Sequence, residues 1–406
     1  MILRDIARQR LLNQRIASPT PNTPSDVVAS LAGIQAQDYF GALWAIGMRL
    51  ADATEAGIKQ AIADRTIIRT WAMRGTLHFL SATDARWILE LLMPRLIAGS
   101  LGRDRQLELT AAIFARIEKI LVKALHGGRR LTRDAAYELL ERARISTAGH
   151  RGIHILWRLA QERVICFGTH AAKQPTFVLL DEWLPSSKKL ERDAALAELA
   201  RRYFSSHGPA TLRDFVWWSG LKVSDAKAGL EMVSSHLVQH TVGGTVYCDS
   251  RDASASRRVA PAVHLLPAFD EFLIGYRDRG ASLDPRHAPK ITPGGNGMLL
   301  PTVLNRGRVV GTWKRAFEKD ALAIKASFFA SPSKSEARAF ASEIERYSRF
   351  LGVPIRSSDQ EPGGIGLGTG WVWSQGSKRV KIVFAFSSPG AKMPLEMAEP
   401  GTGTQC

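Results

Sequence analysis

The chain has 406 residues, which is too long for one ordinary hydrophobic core and predicts two to four domains. With 45% hydrophobic and 23% charged residues, it has the composition of a soluble globular protein. Lysine and arginine number 55 against 38 acidic residues, so the net charge of +17 predicts a polyanionic partner but no particular reaction.

Cysteine usage and hydropathy exclude several other classes of protein. Cys166, Cys248 and Cys406 are an odd number and lie far apart without metal-ligand spacing, so we expect no disulfide framework, no metal and no cofactor. No apolar run approaches the ~20 residues of a membrane span, and the N-terminal segment is too polar for a signal peptide. We expect a cytoplasmic, nucleoid-associated monomer that binds no membrane.

The first predicted element is a basic amphipathic helix over residues 2–12. We expect its Arg4, Arg8 and Arg10 to be available to solvent or phosphate. Prolines between residues 19 and 24 end this helix, and residues 25–26 then predict the N-terminus of a second one.

The second predicted helix leads into Gln35 and Gln37, two glutamines that stand among apolar residues. Two positions on a regular helix differ by about 200°, so both amides reach one point only if the helix ends or bends there. Asp38 and Gly41 favour such a break. The alternative, which spacing leaves open, is that both amides cap backbone groups at a helix end.

The segments after the glutamines predict the rest of a small unit. Residues 54–64 have helical periodicity, and residues 67–80 predict a strand, a turn at Gly75 and a second strand. Helices followed by a two-stranded hairpin are the order of a winged helix.

The same order recurs along the chain. The segments HGGRRLTRD at residues 126–134 and HGPATLRD at residues 207–214 share His-Gly, a leucine and Arg-Asp. Each follows a helical stretch and precedes two helices and two extended segments, so tandem copies of one unit are the simplest account. The predicted helices are residues 113–125, 135–143 and 152–162 in one copy and 195–205, 215–219 and 224–236 in the other, and the extended segments are 164–167, 176–180, 237–241 and 245–248.

Arg133 and Arg213 each precede an aspartate near the start of the short helix of their copy. Each arginine could position a phosphate, or it could pair with its neighbouring aspartate. An exposed ion pair contributes little stability, so the sequence leaves both roles open.

The C-terminal part is predicted to be mostly β. Residues 303–313 predict a hairpin, residues 322–329 a further strand and residues 334–351 a helix. The glycine-rich residues 294–297 lack the lysine and hydroxyl of a phosphate loop and predict a turn. From residue 357 onward glycine, serine and proline predominate, so we expect a disordered tail in which residues 371–386 could still form a hairpin.

Asp270 and Glu271 form an acidic pair inside an apolar frame. Such a pair can supply catalytic carboxylates. Burial as partners of Arg277 and Arg279 is the favoured alternative, because nothing else in the chain resembles a carboxylate hydrolase.

These elements predict an α+β fold of tandem winged-helix repeats followed by a mostly β C-terminal domain. The expected limits are residues 1–100, 101–190 and 191–258 for the three winged helices, 259–356 for the C-terminal domain and 357–406 for the tail.

Three segments together resemble the AlkZ-type winged-helix DNA glycosylases: QAQDY at residues 35–39, RTWAMRGTLH at 69–78 and LPAFDEFLIGYRDR at 266–279. The likeness spans roughly residues 1–355. It implies a monofunctional DNA glycosylase that removes bulky N7-alkylated guanines from double-stranded DNA, including both ends of interstrand crosslinks. Gln37 at the second position implies the crosslink-unhooking branch, and Ala36 between the glutamines leaves the exact branch open.

The resemblance implies that Gln35 and Gln37 are the catalytic residues. N7-alkylated guanine is cationic and leaves without a strong general acid, so an amide that only orients water is sufficient. Arg69, Arg74 and His78 lie in the hairpin nearest the glutamines and are expected to line the DNA side, with a buried structural histidine as the alternative for His78.

Two other classes compete with this interpretation. A non-catalytic winged-helix DNA-binding regulator fits the charge, the repeats and the hairpins equally well, and only the Gln-Ala-Gln segment with its flanking likeness favours the enzyme. A hydrolase using Asp38 or Asp270 as its carboxylate is the third candidate.

Overall fold

The computed structural model describes residues 2–19, 23–172, 174–184, 188–252, 263–295, 297–318, 321–353 and 383–386. The first helix, α1 (Leu3–Asn13), confirms the predicted N-terminal element. Arg10 does not face solvent, however. It is 1% exposed, its guanidinium lies 3.6 Å from the Tyr276 ring centroid, and its Nε donates to the Pro209 carbonyl. The expectation that Arg10 is available to phosphate is therefore wrong.

The first unit has the order helix, short strand, helix, helix and hairpin. Its first helix begins where the Thr23 hydroxyl accepts a hydrogen bond from the Asp26 N–H, and it ends at Ser30. The helix therefore stops before the glutamines, which lie on a short strand and the bend after it. The elements are α2 (Pro24–Ser30), β1 (Ile34–Gln35), α3 (Tyr39–Gly47), α4 (Glu55–Ala63), β2 (Ile67–Trp71) and β3 (Leu77–Ser81).

A long helix, α5 (Ala85–Gln106), leads to the second unit and passes through the limit expected between residues 100 and 101. The second unit repeats the order of the first and is followed by a short helix. Its elements are α6 (Ala111–Leu125), β4 (Leu131–Thr132), α7 (Arg133–Arg142), α8 (Arg151–Gln161), β5 (Ile165–Phe167) and β6 (Thr176–Leu179), and the short helix is α9 (Leu180–Trp183).

The third unit has the same order, with a single bridge between Ala210 and Cys248 in place of the short strand. The recurrence of helix, extended segment, two helices and hairpin confirms the element order that the sequence repeat predicted. The elements are α10 (Arg192–His207), α11 (Leu212–Ser219), α12 (Val223–Met232), β7 (Leu237–Val242) and β8 (Thr245–Ser250).

The three units differ in the connection that follows the short extended segment. In the second unit the last paired residue, Thr132, is itself the N-cap of α7, and in the third unit Thr211 caps α11 directly after the bridge. In the first unit the pairing ends at Gln35 and the N-cap of α3 is Asp38. Two additional residues, Ala36 and Gln37, therefore separate strand from helix in this unit.

Two sheets organise the molecule. The hairpins of the first two units join into one six-stranded sheet, in the order β1-β3-β2-β5-β6-β4, where Arg69 pairs with Phe167. The C-terminal part forms a five-stranded sheet in the order β13-β12-β11-β10-β9. Its elements are β9 (Val263–Leu266), α13 (Glu271–Ile274), α14 (Ala288–Ile291), β10 (Thr302–Asn305), β11 (Arg308–Glu318), β12 (Ala321–Phe328), α15 (Lys334–Leu351) and β13 (Val383–Phe386).

The C-terminal elements confirm the predicted hairpin, the following strand and the helix over residues 334–351. Within the tail that was expected to be disordered, residues 383–386 form a strand parallel to β12. Trp371 and Trp373 lie outside the described residues. No helix in the described part of the chain is long and apolar enough to cross a membrane.

The first unit packs directly on the C-terminal domain through α3. The Trp44 ring lies 4.9 Å from Tyr347 and 5.0 Å from Phe350, both on α15, and its Nε1 donates to the Leu265 carbonyl at 2.7 Å. The glutamine connection is thus fixed at one end by the six-stranded sheet and at the other by a helix buried against the C-terminal sheet.

Candidate active site

Gln35 is the most constrained side chain of the glutamine connection. It is 9% exposed, its backbone N–H donates to Glu271 Oε1 at 2.9 Å, and its Nε2 lies 3.4 Å from Thr76 Oγ1. Its buried Oε1 accepts no hydrogen bond from the described residues. A buried carbonyl without a donor is costly and uncommon in folded proteins, so it marks a candidate functional group.

Gln37 is half-buried, and its Oε1 accepts a hydrogen bond from the Leu77 N–H at 3.3 Å. The two amides therefore meet adjacent residues, Thr76 and Leu77, at the start of β3. Neither caps a helix in these contacts, because the N-cap of α3 is Asp38, whose carboxylate accepts from the Gly41 N–H at 3.0 Å. The break at the glutamines brings both side chains to one strand end.

Glu271 holds the backbone of Gln35 in place. It is fully buried and accepts hydrogen bonds from the Gln35 N–H and from Trp218 Nε1–H, each at 2.9 Å, with His207 Nε2 at 3.5 Å. Burial alone raises the pKa of Glu271, but His207 and these donors outweigh it and hold the pKa below its usual value. The carboxylate stays ionised and fixes the backbone of the glutamine strand.

Asp270 has a separate structural partner. Its carboxylate accepts hydrogen bonds from both terminal nitrogens of Arg49, at 2.9 and 2.8 Å. It also accepts one from the Phe272 N–H and so caps the N-terminus of α13. The expected pairing of the acidic residues with Arg277 and Arg279 is therefore wrong, although the expected burial is correct. Both candidates of the carboxylate hydrolase thus have structural contacts, Asp270 with Arg49 and Asp38 as the N-cap of α3.

Arg69 lies in the interior rather than on an open surface. It is 8% exposed, and its Nε and Nη2 donate to the Ala36 carbonyl at 3.2 and 2.8 Å. Burial lowers its pKa to about 10, with Tyr39 and Asp38 attracting its charge. The guanidinium fixes the backbone of Ala36, and through it the positions of the two neighbouring glutamines. Direct contact of Arg69 with DNA stays a prediction.

Arg74 occupies the turn between β2 and β3 with a left-handed φ of 57°. Its Nη1 donates to the Trp218 carbonyl at the end of α11. The side chain lines a cavity of about 380 Å³ that also reaches Gln35. Arg74 and Gln35 are thus the two predicted site residues that share one cavity.

His78 is fully buried opposite Gln35 in the β1–β3 pairing. Its Nδ1 donates to the Thr76 carbonyl at 2.9 Å, and its Nε2 has no partner among the described residues. Burial, with repulsion from Arg74, lowers its pKa to about 4, so the ring is neutral at pH 7. The position fits the structural alternative for this residue, and contact with DNA stays a prediction.

Arg133 and Arg213 are not among the residues that line the cavity beside Gln35, and each lies in the first turn of its helix as predicted. Arg133 Nε is 3.7 Å from Asp134 Oδ1, an ion pair open to solvent. Arg213 is exposed, whereas Asp214 is buried and accepts from the Thr211 N–H. A phosphate contact by either arginine remains a prediction.

The cavity contains residues that the sequence did not indicate. Trp217, Phe269 and Arg279 line it together with Gln35 and Arg74. Arg279 was assigned to an acidic partner because it closely follows the Asp-Glu pair along the chain. Trp217 had no signal apart from its place near the Arg-Asp segment.

A strongly basic α+β chain that repeats a helix-and-hairpin unit three times, with a neutral amide site beside an arginine-lined cavity, belongs to the class of nucleic-acid-processing proteins. The sequence model of the DNA glycosylase AlkZ-like family matches residues 28–350, so the chain belongs to this family. It is a DNA glycosylase, a hydrolase of N-glycosyl bonds that acts in DNA repair. The resemblance found in the sequence is confirmed, and the regulator alternative is set aside.

Two comparisons with individual proteins agree with the family. The interstrand DNA cross-link repair glycosylase of Streptomyces sahachiroi is 28% identical over 329 residues, which cover 77% of this chain and 87% of that protein. The structure of Streptomyces sahachiroi DNA glycosylase AlkZ superposes with a TM-score of 0.72 and 25% identity, covering 88% of this chain and 99% of that one.

Proposed function

We propose that this DNA glycosylase excises N7-alkylated guanine from double-stranded DNA, including guanines joined in interstrand crosslinks, with Gln35 and Gln37 as its catalytic residues. The observation that carries the proposal is the buried Gln35 carbonyl oxygen, which has no donor among the described residues and belongs to a side chain lining the cavity. The name of the Streptomyces sahachiroi relative, an interstrand DNA cross-link repair glycosylase, supports the crosslink as substrate.

The chemistry of the amides favours a cationic leaving group. A glutamine carbonyl can accept a proton of the attacking water and orient it towards the sugar C1′, but it cannot protonate a departing base. Glu271 accepts hydrogen bonds from Gln35 and Trp218, and His78 stays neutral because burial lowers its pKa to about 4. A base that alkylation has already made positive needs no such proton.

Arg69 and Glu271 are positioning residues in this proposal. Arg69 holds the Ala36 carbonyl between the two glutamines, and Glu271 holds the Gln35 N–H. The three tandem units, which we propose to be winged-helix domains near the expected limits, would hold the duplex through phosphate contacts that include Arg133 and Arg213. A bulky or crosslinked base then reacts while the duplex lies across the units.

The test measures excision from duplexes that carry one N7-methylguanine or one N7-guanine crosslink, followed by alkaline cleavage at abasic sites. We expect Gln35→Ala and Gln37→Ala each to lower the rate by about 10²- to 10³-fold with nearly unchanged duplex affinity. Gln60→Ala is the matched control, because Gln60 is an exposed glutamine on α4 that bonds Asp64. Wild-type rates in both site variants would overturn the proposal.

Substrate range and pH profile give a second readout. Uracil, hypoxanthine and 8-oxoguanine should remain in the duplex, because their excision requires a proton that the site does not supply. Excision of N7-methylguanine should vary little between pH 6 and 8, since neither glutamine titrates. Efficient uracil release, or a carboxylate limb that disappears in Asp38→Asn, would replace this mechanism with a carboxylate-based one.

A further inference from the structure

The cavity beside Gln35 contains two arginines without an acidic partner. Arg74 Nη1 donates to the Trp218 carbonyl, and Arg279 Nε donates to the Leu273 carbonyl at 2.8 Å. Both acceptors are neutral, and no carboxylate of the described residues forms an ion pair with either guanidinium. Each arginine has five N–H donors, so both keep donors for a ligand.

The two guanidinium groups are close enough to repel each other. Burial lowers the pKa of Arg74, and the nearby charge of Arg279 lowers it further. Burial also lowers the pKa of Arg279. Glu271 and Tyr203 attract the charge of Arg74 more than Arg279 repels it, but the oxygens of Glu271 already accept hydrogen bonds from Gln35 and Trp218. Two partly buried cations that line one cavity, neither with an ion-pair partner, are favourably placed to bind an anion.

We propose that Arg74 and Arg279 together bind a phosphate of the damaged strand, the one flanking the nucleotide whose base is removed. This inference rests on the proposed function for the location of the damaged nucleotide, because Gln35 lines the same cavity. Guanidinium groups match the oxygens of a phosphate in geometry and charge better than any other side chain. The clamp would fix the sugar, and with it C1′, against the Gln35 amide.

The remaining walls of the cavity fit a nucleotide as well as a phosphate. Trp217 is 44% exposed, and Phe269 takes a left-handed φ of 58°, which is unusual for a bulky side chain. Aromatic faces bind sugars and unstacked bases of a strand. The cavity thus combines two cations with two aromatic rings next to the proposed catalytic amide.

The test measures binding of the full chain to a duplex with a tetrahydrofuran residue, a stable analogue of the abasic product, so that no excision is required. Each phosphate flanking the analogue is replaced in turn by an uncharged methylphosphonate. At one position the wild-type protein should lose about 10- to 100-fold in affinity, which corresponds to a hydrogen bond with a charged group. The Arg279→Gln variant should bind the unmodified duplex about as weakly as the wild-type protein binds that methylphosphonate duplex. Its affinity should not fall further when the same methylphosphonate is introduced.

Controls separate a phosphate clamp from a general loss of charge or of folding. Arg277→Gln removes one positive charge from an exposed residue of the same segment that does not line the cavity, and its affinity should fall equally on both duplexes. Arg279→Lys and Arg74→Lys keep the charge and should recover part of the binding. The proposal is overturned if no flanking position shows coupling to Arg279, even when the wild-type protein excises N7-methylguanine.

Discussion

The buried carboxylate of Glu271 illustrates how single residues define this site. Its two oxygens accept hydrogen bonds from a backbone N–H and an indole, and an imidazole nitrogen lies 3.5 Å away, each group from a different element of the chain. A charge that is fully buried yet ionised at neutral pH is tolerated because these donors replace its water. The residue therefore links β1, α10 and α11 at the point where the glutamine connection begins.

We expect Glu271→Gln to destabilise the protein by about 2–4 kcal/mol and to lower excision more than duplex affinity. An amide offers one acceptor oxygen where the carboxylate offers two, so at least one buried donor loses its partner and β1 shifts. The measurement is urea unfolding together with excision kinetics.

Glu343→Gln is the control for that variant. Glu343 is a nearly buried carboxylate of α15 whose pKa is raised by burial, so its charge is less well stabilised. Its replacement should change stability by no more than about 1 kcal/mol. Equal losses in the two variants would show that Glu271 has no special role.

At the scale of elements, the packing of α3 decides where the glutamines stand. Gly47 ends this helix, and a Cβ built on it would lie closer to the Phe350 ring than van der Waals contact allows. The helix can approach α15 only because this position has no side chain. Displacing α3 would move Asp38 and the connection before it.

We predict that Gly47→Ala lowers the free energy of unfolding by about 1–3 kcal/mol, because the added methyl overpacks the contact with Phe350. The same change at Gly99 in α5 is the matched control, since a Cβ there meets nothing within 4 Å. Gly99→Ala should raise the free energy of unfolding by about 0.4–1 kcal/mol. Urea titration of both variants checks the opposite signs.

The element order was predictable because it depends on local signals. The His-Gly and Arg-Asp repeat, the turn at Gly75 and the helix over residues 334–351 were all found from periodicity and turn residues. The wrong assignments concern contacts between residues distant in sequence. Nothing near Asp270 indicates that its partner is Arg49, 221 residues away, rather than the arginines that follow it. Arg10 was misplaced for the same reason, because its ring partner, Tyr276, belongs to the C-terminal domain.

The candidate site was predictable only in part. Gln35 and Gln37 were singled out by their apolar setting, but their importance came from a resemblance and not from spacing. The cavity combines residues of the first unit, the third unit and the C-terminal domain. Only the tertiary fold brings these three parts of the chain together, so the sequence could not assign Trp217 and Arg279 to the cavity.

For the whole molecule, the charge of +17 predicts how the protein associates with its substrate. If binding rests on six or more phosphate contacts along several units, affinity for undamaged duplex should fall about 10³-fold or more between ~50 and ~200 mM salt. Fluorescence anisotropy across that range measures the slope. A nearly flat response would show that the charge serves another partner.

Buried histidines predict that the fold weakens in mild acid. Burial lowers the pKa values of His78 and His264 to about 4, below the 6.5 of an unfolded histidine, so the unfolded state binds more protons between these values. Stability should therefore be complete above pH 6.5 and fall towards pH 4. Urea unfolding at steps of half a pH unit measures this loss.

Asp249 acts in the opposite direction. Burial raises its pKa to about 6, above the unfolded value near 3.8, so the folded state gains a proton as the pH falls through this range. Asp249→Asn should therefore stabilise the protein at pH 7 by roughly 1–3 kcal/mol, because it removes a poorly stabilised charge while its amide oxygen can still accept a hydrogen bond from Asn13. By pH 4 this advantage should be lost, because Asp249 of the wild-type protein is then itself neutral. A constant difference at all pH values would contradict the shifted pKa.

The two additional residues in the connection of the first unit correspond to a definite length of chain. Extended chain covers roughly 3.3 Å per residue, so Ala36 and Gln37 add about 7 Å, more than the 5.4 Å pitch of one helical turn. The strand pairing before them and the helix cap after them correspond to those of the second unit. A copy of a repeated unit can therefore carry side chains of its own between sheet and helix without a change of fold.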